Sequence, residues 1–103
     1  MMANKKWAMV IMNQGYDPER DTARLDLDQL DTYILTVRNP EEALALAKRL
    51  AEEGFGAIEV CGAFGGELAK EMYEATGRRV PVGYVTVPQD QLKKALEFWG
   101  HGE

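Results

Sequence analysis

Cys61 stands two residues after Glu59 and opens the stretch Cys61-Gly62-Ala63-Phe64-Gly65-Gly66. Three glycines in six residues let a backbone turn sharply and expose its N–H groups at a helix start, which is a way to hold an anion. No Gly-Lys-Ser/Thr follows and the G-x-G-x-x-G spacing is absent, so the stretch is neither a Walker A loop nor a dinucleotide fingerprint. The same glycines have a purely structural use, a close turn from strand into helix. A thiol at a strand end before a helix sits where negative charge is favoured, which suits a nucleophile or a proton-transfer base. Its structural alternative is a small apolar filler. The one histidine, His101, lies in a Gly-flanked tail, so Cys-His catalysis has little support and a metal site has too few ligands. Glu59 lies inside Ala57-Ile58-Glu59-Val60-Cys61, where a strand covered on both faces should be apolar. A buried carboxylate needs a partner, and Arg38 is the candidate. Strand alternation puts Glu59 and Cys61 on one face, where the carboxylate opposes a thiolate.

The elements that must position these groups follow from periodicity and punctuation. Trp7 to Met12 is an apolar run of strand length closed by Asn13-Gln14-Gly15. Asp17-Pro18-Glu19-Arg20 has the order of a helix start. Beyond it, Leu25 and Leu27 alternate with charged residues as in a strand, whereas Leu27, Leu30 and Ile34 have helical spacing, so residues 20–31 are assigned to neither. Six acids and two arginines between Asp17 and Asp31 give this connection most of the excess charge, as a solvated surface segment would have. Thr32 to Val37 is a second strand ending at Arg38. Asn39 as N-cap, Pro40 at N1, Glu42 at N3 and Gly54 at the C-terminus bracket a helix with an Ala43, Leu46, Ala47, Leu50 stripe. Phe55 to Cys61 is a third strand, Glu67 to Ala75 a second helix stopped by Gly77, and Val80 to Val87 a fourth strand. In that strand Pro81 belongs at the start or on an edge. Pro88 opens a last helix with Leu92, Ala95, Leu96 and Trp99 on one face.

The expected fold is therefore α/β: a single three-layer domain over residues 1–103 with a mainly parallel four-stranded sheet, flavodoxin- or Rossmann-like, in β-β-α-β-α-β-α order. The connection from Asn13 to Asp31 is long enough for a parallel crossover, and an antiparallel first pair stays open. Ligands in such sheets bind outside the carboxyl ends of the strands. That rim gathers Asn13, Gln14, Gly15 and Tyr16, then Arg38 and Asn39, then Cys61 to Gly66, then Thr86.

Composition bounds the function. The chain has 103 residues, 46% hydrophobic and 28% charged, which is ordinary for one folded domain. Twelve Lys and Arg against 17 Asp and Glu leave a net charge of −5, which argues against nucleic acid or an anionic membrane as partner. A lone cysteine, a start (Met1 to Lys6) followed by no apolar signal segment, and no run near membrane-spanning length point to the cytoplasm.

The stretch F-G-A-I-E-V-C-G-A-F-G-G-E, with Y-D-P-E-R-D and V-P-V-G-Y-V, resembles a bacterial family of small uncharacterised α/β proteins over most of residues 7–87. Its members carry a similar A-I-E-L-C-G-G-F-G-H stretch and a D-P-x-x-H-R element. Gly66 and Asp21 stand here in place of those two histidines, so the resemblance implies a lost or altered site and supplies no activity. A shorter likeness, one strand-turn-helix unit, is to aspartate/glutamate-type racemases with A-I-x-V-x-C-x-F-G. Those use two cysteines on two domains, so a chain with one thiol needs a symmetric dimer or another base.

Three functions compete. The first is binding of a small anionic metabolite, without a cofactor, at Asn13, Gln14, Arg38, Gly62, Phe64, Gly65, Gly66 and Thr86. The second is a thiol-dependent isomerase or lyase using Cys61 with Glu59. The third is a homo-oligomeric assembly or partner-binding module presenting the aromatic C-terminal helix, in which Phe98 falls beside the apolar stripe.

Overall fold

The computed structural model describes residues 4–100. In chain order the elements are β1 (Lys5–Met12), β2 (Ala23–Leu27), β3 (Leu30–Val37), α1 (Pro40–Glu52), β4 (Ala57–Val60), α2 (Gly65–Ala75), β5 (Val82–Tyr84) and α3 (Leu92–Trp99), with a 3-10 turn at Gln89–Gln91 before α3. They form an α/β fold with one mixed sheet in the order β2-β3-β1-β4-β5. β1 runs parallel to β3 and β4, β4 runs parallel to β5, and β2 is antiparallel to β3.

The sheet thus has five strands rather than four. The added strand is β2, from the segment that periodicity left unassigned. There the strand alternation of Leu25 and Leu27 prevails over helical spacing, because Ala23 to Leu27 pairs back onto β3. The reversal at Asp28-Gln29 contains no glycine, so the usual hairpin signal is missing. Gln29 itself takes the left-handed conformation, at φ 72°. Asp17 does not start a helix either. Its carboxylate accepts from Glu19 N, its carbonyl accepts from Arg20 N and Asp21 N, and its own N–H donates to the Asp21 carboxylate, which closes the turn on itself.

Paired residues in register share a face, which separates the sheet into two surfaces. One carries Ala8, Val10, Leu35, Val37, Ile58 and Val60, all in or against the core. Helices α1 and α2 touch each other on this surface and bury Leu46, Leu50, Leu68 and Met72 there. The opposite surface carries Trp7, Met9, Ile11, Ile34 and Ala57, all half-buried, together with buried Thr32 and Thr36 and exposed Glu59. Connection geometry explains the asymmetry. The chain steps from β3 to β4 and from β4 to β5 in one direction, so right-handed crossovers put α1 and α2 on the same face. The step from β1 to β3 goes the other way, and its connection crosses the opposite face, where Thr36 Oγ1 donates to Asp21 O at 2.9 Å. That connection contains no helix. Nor does α3 supply the missing layer: it buries none of its residues, and its principal contact is the 3-10 turn before it. The expected third layer is therefore replaced by a two-layer packing with a projecting helix, and the described residues extend 48 × 28 × 27 Å.

The punctuation of α1 is realised. Asn39 Oδ1 accepts from Glu42 N at 2.9 Å. At the other end Gly54, at φ 88°, and Phe55 donate to Ala51 O and Leu50 O, a Schellman closure. β5 is an edge strand and starts just after Pro81, whose carbonyl accepts from Ile58 N.

Candidate functional site

Met12 and Val37 are paired at the carboxyl ends of β1 and β3, and Asn13 N donates to Val37 O at 3.1 Å. Two loops and the start of α1 diverge from this point. Between them lies an open cavity of about 680 Å³ lined by Met12, Asn13, Gln14, Arg38, Asn39 and Pro40. Local hydrogen bonding sets the character of its wall. Asn13 Oδ1 accepts from Gly15 N at 2.8 Å, and Asn39 Oδ1 accepts from Glu42 N at 2.9 Å. Each side-chain carbonyl is thus occupied, and each amide offers its NH₂ group as a donor. With the Arg38 guanidinium the wall is rich in donors, which suits a ligand rich in acceptors.

Arg38 is held in place by Glu42. The carboxylate accepts from Arg38 Nε at 2.9 Å, from Arg38 Nη2 at 2.6 Å and from the Arg38 backbone N–H at 2.8 Å. These bonds raise the arginine pKa and hold the Glu42 carboxyl below the usual carboxylate range. Asp17 also acts on Arg38 through its charge. The guanidinium is oriented but largely neutralised, so a bound anion competes with Glu42.

Glu59 does not pair with Arg38. It is exposed, on the sheet face opposite the core, where Gly83 across the strand pair leaves room for its side chain. The demand for a buried partner falls away because that face has no helix over it. Cys61 follows the last residue of β4, donates its N–H to Val10 O and is half-buried against the core. The strand ends at Val60, so alternation does not carry Glu59 and Cys61 onto a shared face.

The glycine-rich turn has a packing role. Phe64 is buried, Gly65 starts α2 at φ 73°, and a Cβ on Gly66 would lie 3.0 Å from the Tyr84 ring. Gly62, Phe64, Gly65, Gly66 and the exposed Thr86 beyond β5 are outside the cavity lining, as is Cys61. Of the residues expected at the rim, the cavity brings together Asn13, Gln14, Arg38 and Asn39. Sequence reasoning missed the clamp on Arg38, although the Arg-x-x-x-Glu spacing from 38 to 42 carries its signal. His101 lies outside the described residues. Among the described residues no three His, Cys, Asp or Glu side chains gather as a metal site, and no helix is long and apolar enough to cross a membrane.

A family model described as a family of unknown function, DUF6506, matches residues 5–100. The chain belongs to that family, in agreement with the resemblance to uncharacterised α/β proteins. No curated protein and no solved structure matches the chain.

Proposed function

We propose that this member of a family of unknown function binds a small anionic metabolite, one carrying a single carboxylate or phosphate, in the cavity at the carboxyl ends of β1 and β3. The observation that supports this is the donor-rich wall: two asparagine amides with occupied carbonyl oxygens flank the Arg38 guanidinium. The position also fits the general rule for open α/β sheets, whose ligands sit outside the strand carboxyl ends. Because Glu42 already occupies two donors of Arg38, one negative group is the natural load. Gln14 is exposed on the same wall and is suited to read a second polar group on the ligand.

Thermal shift with inorganic phosphate and a series of small mono- and dicarboxylates tests the reading. The expected result is a saturable rise in Tm that disappears in Arg38→Ala and grows in Glu42→Gln, where the guanidinium is released. A ligand at one hundred times its Kd stabilises by about 2.7 kcal/mol, well within reach of the measurement. Absence of a shift in both the wild type and Glu42→Gln removes the proposal. The thiol reading has less behind it, since Cys61 packs on the core and neither it nor Glu59 lines the cavity.

A further inference from the structure

Strand β2 is built the wrong way round for a single chain. Its charged residue Arg24 pairs with Tyr33, on the helix-covered side, and stacks over that ring while bonding Asp26 and Asp31. Its leucines pair with Thr32 and Leu30 on the uncovered side, and Leu25 and Leu27 are 52% and 53% exposed. They extend the apolar surface formed by Trp7, Met9, Ile11 and Ile34. Helix α3 shows the complementary fault. It carries Leu92, Leu96 and Trp99 on one side with Phe98 beside them, and Phe98 and Trp99 are 78% and 68% exposed. Monomeric surfaces rarely leave contiguous apolar patches of this kind bare.

We infer that this protein is a reciprocal homodimer in which α3 of each copy lies across the helix-free sheet face of the other. Size, area and charge point to a second copy as the occupant. An eight-residue helix is about 12 Å long and spans about three strands at their usual spacing of roughly 4.8 Å. The two α3 aromatics alone offer roughly 300 Å² of apolar area. Adding the leucines and doubling by exchange brings each copy near the roughly 800 Å² per partner that a stable interface needs. One-way docking gives half of that and leaves an open chain of copies, whereas exchange closes with twofold symmetry. One charge pair is also complementary. The helix-free face holds exposed Glu59, with Asp28 and Lys5 at its edge, while α3 brings Lys93 beside its apolar stripe and turns Lys94 to the far side. Neither Glu59 nor Lys93 has a salt-bridge partner among the described residues.

Sedimentation velocity and light scattering on the full chain, from micromolar to millimolar concentration, test the inference. The expected species has twice the chain mass. Trp99→Asp and Leu27→Asp, both at exposed positions, should each weaken self-association at least tenfold with unchanged far-UV circular dichroism. Mixing the two variants should restore part of the dimer, because one intact helix then meets one intact face. Glu59→Lys should weaken the dimer, and adding Lys93→Glu to it should recover part of the loss. A monomer at millimolar concentration overturns the inference, including the case where α3 folds back onto its own sheet. So does a dimer indifferent to both Trp99→Asp and Leu27→Asp, or one that appears only when an unrelated protein is added.

Discussion

Helices α1 and α3 both carry an apolar stripe, yet α1 buries five residues and α3 buries none. The ends of α1 are closed by its own sequence, with Asn39 capping the start and Gly54 in the left-handed conformation after the finish. Helix α3 has a left-handed glycine, Gly100, at its end but no side-chain cap at its start. The difference in burial comes from what each helix can reach. α1 lies between two parallel neighbours of β1 and is forced onto the sheet by crossover handedness. α3 follows the edge strand β5, so no later strand pulls it back. An apolar stripe states that a helix needs a surface and leaves open whose surface it is.

The comparison can be broken most sharply in the core. Leu50, 1% exposed in α1, should cost about 2–5 kcal/mol when cut to Ala, read by urea denaturation. Leu96→Ala in α3 should cost about 0.5 kcal/mol or less at protein concentrations low enough to keep the chain monomeric. Equal losses would show that α3 packs on its own chain. A smaller effect comes from the cap. Asn39→Ala should cost about 1 kcal/mol, because Glu42 N loses its acceptor at the helix start. No single substitution at Gln91, which makes no side-chain cap bond to α3, should match it.

The smallest effect is on pH dependence. Arg38 holds the folded-state Glu42 carboxyl below its ordinary value of 4.5, so the unfolded chain binds more protons as acid is added. The stabilisation is fully present above about 4.5 and is lost as pH falls through the lowered folded value. Glu42→Gln should therefore be less stable than the wild type at neutral pH, with the two denaturation curves converging in acid. A gap that stays constant down to the acid transition would mean that the clamp contributes nothing through Glu42 ionisation.

Much of the fold was legible because it is written in short-range pattern. Four strands, three helices and the confinement of Pro81 to a strand start or an edge follow from runs, caps and breakers. β2 was not legible as a strand, since its leucines face away from the core and its turn lacks glycine, so two periodicities competed. At the rim, Asn13, Gln14, Arg38 and Asn39 lie around one cavity, as the general rule for strand ends groups them. The glycine-rich turn drew attention for its backbone freedom, but the structure uses that freedom to seat Tyr84 against Gly66. Glu59 looked buried because a run of apolar neighbours implies two covered faces, and only one of the faces has helices over it.

Side-chain periodicity, N-cap and C-cap residues and strand-ending turns depend on atoms a few residues apart, so the amino-acid order alone determined the three helices and every strand but β2. Which sheet face α1 and α2 cover, the partner of Arg38 and the outward projection of α3 depend on crossover direction and on packing between segments distant in the chain. Those were decided only when the whole chain closed around its core, because handedness and shared surface are properties of the assembled elements and of none of them singly.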